Sequence, residues 1–117
     1  MSAFGDYVRQ KRLTLQESDP AFSLRKVAAA IEVEPSYLSK IERGEQPPPG
    51  EHTIIALAKA LGEDPDILLA LAGKVSEELL AIIRKRPLLF AQLIRELKNT
   101  PDHAVLRLVR EVRDGKW

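Results

Sequence analysis

Apolar residues recur at helical spacing along almost the whole chain, and the stretches between them carry turn chemistry. Phe4, Val8 and either Leu15 or Arg12 share one side of a first helix over residues 4–15, after which the polar residues 16–21, with Asp19-Pro20, read as a loop. Ser23 is placed to cap a short helix over 24–31, because its hydroxyl can accept from a free N–H of the first turn. Pro35 suits the first position of a third helix, since its missing N–H would have had no partner there. That helix runs to residue 43 and stops at Gly44, a residue that takes the left-handed conformation readily. The prolines of 45–50 (EQPPPG) forbid helix and make a stiff connection. Ile54, Leu57, Ala58 and Leu61 then define a helix over 51–61 closed by Gly62, and Ile67, Leu68 and Leu71 another over 65–72. Five short helices with short loops predict one compact all-α domain over residues 1–74.

Residues 75–117 form an extension such a domain does not need. Ser76 caps a helix over 77–86, Pro87 restarts the chain into 88–98, and Thr100-Pro101 opens a last helix that Gly115 ends. No strand alternation, hairpin turn or internal repeat stands out.

Composition narrows the chemistry. With 44% apolar and 30% charged residues the chain can bury a core and stay soluble. It has no cysteine, which excludes disulfides, thiolate zinc sites and cysteine nucleophiles and makes the cytoplasm the expected compartment. Neither a signal peptide nor a membrane span is expected, for want of an apolar leader core or a long uninterrupted apolar run. His52 and His103 stand alone among polar residues, and phosphate-binding glycine motifs are missing, so no metal, no cofactor and no enzymatic activity are expected. The net charge of +1 is spread unevenly: residues 1–45 balance seven cations with seven anions, while residues 76–117 carry nine against six. A nucleic-acid surface must therefore be sorted by the fold rather than by bulk charge.

The segment 23–44, SLRKVAAAIEVEPSYLSKIERG, resembles the helix-turn-helix of the Xre (phage-repressor-like) family. Val27 and the small Ala28 sit inside its first helix, Ile31 and Val33 flank the turn, Leu38 and Ile41 face the core, and Glu42 with Gly44 completes the family's IERG ending. The stretch TIIALAKALGEDPDILL is similar to the family's fourth and fifth helices, so the resemblance covers residues 4–72 and implies a five-helix lambda-repressor-like domain that binds double-stranded DNA. Two positions depart from the pattern. Glu32 stands where the turn usually has glycine, at a cost on the order of 1 kcal/mol if its φ is positive. Leu24 replaces a glutamine that touches the DNA backbone, leaving Arg25 or Lys26 to stand in.

Family docking would lay the third helix in the major groove with Pro35, Ser36, Tyr37 and Lys40 toward the bases. Lys40 can donate to guanine, Ser36 is permissive, and Pro35 or Tyr37 can pack on a thymine methyl. Arg43 and the start of the following loop would lie over phosphates. Plainer roles compete: Tyr37 can pack on the first helix or the loop, and Lys40 can be a solvated lysine. Arg12 and Glu42 match a family pair that bridges the first helix to the end of the third, with Arg12 also near a phosphate.

The extension carries sixteen large apolar residues between Val75 and Val112. They either thicken the same core or meet a second copy of the chain. The second is favoured, with Leu79, Ile83, Leu89, Phe90, Leu93, Ile94 and Leu97 as dimerisation residues and Arg107, Arg110 and Arg113 on the solvent face. Trp117, the only tryptophan, would report whether the chain end is docked. The function expected is a homodimeric transcriptional regulator, a repressor on an inverted repeat. Its alternative is an antitoxin whose extension binds a toxin.

Overall fold

The computed structural model describes residues 2–115, so the expectation attached to Trp117 lies outside them. The helices are α1 (Ala3–Gln16), α2 (Leu24–Ala30), α3 (Pro35–Glu42), α4 (Glu51–Leu61), α5 (Pro65–Leu71), α6 (Glu77–Lys85), α7 (Pro87–Leu97) and α8 (Asp102–Asp114). No strand occurs among the described residues. Local chemistry sets most of the boundaries. Ser2 Oγ accepts from Gly5 N–H at 3.2 Å and Ser23 Oγ from Lys26 N–H at 3.3 Å, each satisfying a donor the helix cannot. Proline starts α3, α5 and α7.

One expectation needs correction. The stretch after α1 is not simply a loop, because Pro20–Phe22 forms a 3-10 turn capped by Asp19, whose Oδ1 accepts from Ala21 N–H at 2.9 Å. That turn aims the Phe22 carbonyl back at α1. Thr100 also does more than open α8: its hydroxyl donates to the Glu96 carbonyl at 2.9 Å, at the end of α7.

The chain divides into two compact units between Ser76 and Glu77. In the first, α1 to α5 enclose one core in which Phe4, Val8, Leu38, Ile41, Ile54, Leu57, Leu68 and Leu69 are almost wholly removed from water. Ala28, fully buried, allows α3 to pack closely on α2. The connection 45–50 is tied down where Lys74 Nζ donates to the Pro49 carbonyl at 2.8 Å. In the second unit no residue of α6, α7 or α8 is buried. All the residues of that core lie between Phe4 and Leu69.

Candidate nucleic-acid interface

The third helix is held from behind. Arg12 on α1 and Glu42 at the end of α3 form a two-pronged pair, Nε to Oε2 at 2.7 Å and Nη2 to Oε1 at 2.9 Å. Both side chains are buried, at 7% and 4% exposure. Arg12 Nη1 donates further to Gln16 Oε1 at 3.2 Å and to the Phe22 carbonyl at 3.3 Å. Four of the five guanidinium N–H groups of Arg12 are thus engaged within the fold. The pair is well satisfied, which is the condition under which a buried ion pair persists.

Gly5, whose role is not apparent from the helical pattern, brings α1 against the end of α3. A Cβ there would stand 2.3 Å from the Ile41 carbonyl oxygen and 2.9 Å from that of Glu42. The readable signal was glycine inside a helix, a choice that costs about 1 kcal/mol against alanine and so needs a packing reason. Beyond α3, Gly44 takes φ +75°, and the N–H groups of Glu45 and Gly44 close on the carbonyls of Lys40 and Ile41 at 2.8 and 3.1 Å. This double closure ends the helix and satisfies two of its last carbonyls.

The turn between α2 and α3 closes in the same way. Val33 N–H reaches the Ala28 carbonyl at 3.0 Å and Glu32 N–H the Ala29 carbonyl at 3.1 Å. Glu32 therefore sits at φ +59°, the one non-glycine with positive φ among the described residues. The geometry a glycine would supply is retained at some backbone cost.

So anchored, α3 buries Leu38, Ile41 and Glu42 and turns Ser36, Lys40 and Arg43 outward at i, i+4 and i+7. Pro35 is half-buried. Tyr37 is also half-buried and packs against the core. Arg43 Nη2 pairs with Glu45 Oε2 at 3.0 Å, both about half exposed. Such a surface pair contributes only about 0–1 kcal/mol. On α2, Arg25 and Lys26 are exposed and, with Ser23 and Ala29, line a shallow depression. Exposed Glu32, Glu34 and Glu45 offset most of this positive charge.

A second tie holds α1 to the turn before α5. The Tyr7 hydroxyl donates to the Glu63 carboxylate. That bond, helped by the Asp64 N–H at 2.9 Å and by Lys11, holds Glu63 below the usual glutamate range, and it raises Tyr7 above the usual tyrosine value. The Tyr7–Glu63 bond joins residues 56 positions apart and leaves no local pattern.

The expected dimerisation residues are placed along α6 and α7, with Leu79, Leu89, Leu93 and Ile94 exposed and Ile83, Phe90 and Leu97 half-buried. Arg107, Arg110 and Arg113 are all exposed, and Arg113 also borders an apolar groove. His52 and His103 are both exposed, and no group of three potential metal ligands occurs among the described residues. No described helix is long and apolar enough to cross a membrane.

In comparison with known proteins, the family model of a helix-turn-helix domain matches residues 3–71. No curated protein and no solved structure matches the chain.

Proposed function

From the premise that the chain belongs to the helix-turn-helix domain family, we propose that it is a sequence-specific transcriptional regulator of the Xre, phage-repressor-like branch. It acts in the cytoplasm as a repressor and holds an inverted-repeat operator as a homodimer. The observation that carries this reading is the outward stripe of Ser36, Lys40 and Arg43 on a helix locked from behind by Arg12 and Glu42. A reading helix must be rigid, because base contacts tolerate little displacement, and exposed on one face. Lys40 reads a base edge, while Arg43, Arg25 and Lys26 hold phosphates. The near-balance of charge around the stripe keeps each half-site weak and leaves discrimination to half-site spacing and DNA shape.

Selection of binding sites from random duplexes tests this with three proteins: the native chain, Lys40→Ala and Arg43→Ala. An inverted repeat should be enriched by the native chain. Lys40→Ala should lose about 1–3 kcal/mol and relax one base pair per half-site, while Arg43→Ala weakens all sequences alike. Identical sequence-blind losses would reduce Lys40 to a phosphate contact, and no enrichment by the native chain would sink the reading.

A second reading, an antitoxin that binds DNA and clamps a toxin, is favoured by the uncovered apolar grooves of α6 to α8. A stable complex with the product of an adjacent toxin gene would establish it.

A further inference from the structure

The second unit has helices but no closed interior. Its helices are 9, 11 and 13 residues long, and none of their residues is buried. Helices this short depend on packing for their stability, and here much of the apolar packing surface is left open. The opening is concave. One groove runs past Leu97, Val105, Leu108 and Val109, and another past Ile82, Leu89 and Phe90. Leu93 and Val112 line both, which joins them into one valley. Five of the lining residues, Ile82, Leu89, Leu93, Val109 and Val112, are 42–65% exposed, so its apolar walls face water.

The valley carries charge of one sign. Arg113, in the last turn of α8, lines the first groove, and Arg86, between α6 and α7, lines the second. Among the described residues no carboxylate lines either groove, and neither guanidinium has an ion pair. The surrounding segment leans the same way, with nine cations against six anions in residues 76–117. Shape and charge together limit what fits. A duplex offers phosphates to the arginines but leaves the apolar walls uncovered. A lipid surface is too broad to enter a concave groove. A second copy laid groove to groove would set arginine near arginine, with no carboxylate in the grooves to answer them. A helix with an apolar stripe suits the walls, since such grooves take side chains at i, i+3 or i+4 and i+7. Carboxylates beside that stripe suit the guanidinium groups, which hold them through two parallel hydrogen bonds.

Resting on the second reading above for the presence of a protein partner, we infer that the valley docks a foreign amphipathic helix whose apolar stripe is flanked by carboxylates. Leu93 and Val112, common to both grooves, meet its central apolar side chains. Arg86 and Arg113 pair with its carboxylates and turn away a helix flanked by lysine or arginine. The homodimer proposed above has apolar surface outside the valley, because Leu88, Ile94 and Leu106, 53–85% exposed, line neither groove.

The test uses the full chain without DNA and two synthetic helical peptides of about 18 residues, long enough to hold a helix. Both carry leucine at i, i+3 or i+4 and i+7; one has glutamate beside the leucines and the other lysine at the same places. Fluorescence anisotropy of each labelled peptide is followed against protein concentration at about 50 and 200 mM salt. The glutamate peptide should bind about tenfold or more tightly than the lysine peptide, and the gap should narrow at the higher salt. Arg86→Glu and Arg113→Glu change exposed side chains and leave the helices intact. Each should weaken the glutamate peptide, and the double variant should prefer the lysine peptide. Leu93→Ala should weaken both peptides alike. Equal affinity for the two peptides, no binding of either, or a preference that the double variant retains would overturn the inference. So would sedimentation of a native dimer whose formation expels the glutamate peptide, which gives the valley to a second copy. The outcomes stay separate from those of the second reading. Discrimination between the peptides without a toxin complex removes only the toxin, and a toxin complex indifferent to both arginine variants removes only the acidic helix.

Discussion

Arg12 and Glu42, thirty residues apart in sequence, meet as a buried fork that fixes the end of α3 to α1. Removing Glu42 alone strands a buried guanidinium, which costs about 3–5 kcal/mol, whereas removing both partners leaves no unpaired charge. Glu42→Ala should therefore destabilise strongly, and the double variant with Arg12→Ala should lose less than the sum of the two. Chemical denaturation of the four proteins measures this cycle, and strict additivity would show that the contact carries no energy of its own.

Gly5→Ala should be costly out of proportion to one methyl group. The new Cβ meets the backbone oxygens of Ile41 and Glu42, which cannot swing aside as a flexible side chain would. Overpacking of this kind costs on the order of 1–3 kcal/mol. The relief available is movement of α3 away from α1, so duplex affinity should fall together with thermal stability. Unchanged stability would mean that the two helices have room to part.

The Tyr7–Glu63 bond predicts a pH response with a definite sign. The folded pKa of Glu63 is lowered, so its contribution is present above the ordinary glutamate value and lost as pH falls through the folded value. Tyr7 is raised, so its contribution is present below the ordinary tyrosine value and lost as pH rises through the folded one. In Tyr7→Phe the Glu63 carboxylate should titrate higher by NMR. A Glu63 titration unmoved by the substitution would mean that the hydroxyl does not hold it.

Glu32→Gly should stabilise the first unit. It relieves a side chain held at φ +59°, a conformation that costs non-glycine residues roughly 1–2 kcal/mol, part of which glycine returns as entropy. A net gain near 1 kcal/mol raises the melting temperature of a domain this size by about 4–8 °C. A lower melting temperature would show that Glu32 makes compensating contacts.

Much of the architecture is written locally. Ser23, Pro35 and Gly44 act on groups within a few residues of themselves, so the limits of α2 and α3 can be read from the chain to within a residue. The outward spacing of Ser36, Lys40 and Arg43 is likewise a property of one helix. The 3-10 turn at Pro20–Phe22 escaped because an Asp-Pro pair signals a loop equally well. The close approach at Gly5, the extra donors of Arg12, the Tyr7–Glu63 bond and the Lys74–Pro49 tie depend on which segments the fold brings together, and no local pattern encodes them. For Tyr37 the residue type alone left two roles open, and only packing showed how much of the ring the core takes.

Duplex affinity measured against salt tests the central claim most directly, that the α2–α3 face of this chain binds DNA. Each neutralised phosphate contributes a slope of about −0.9 to the plot of log affinity against log salt. With Arg25, Lys26 and Arg43 on phosphates in both halves of a dimer, the slope should lie near −5, and each alanine substitution among the three should flatten it by roughly two. A native chain whose affinity is flat between about 50 and 200 mM salt, or whose slope ignores all three substitutions, would contradict it.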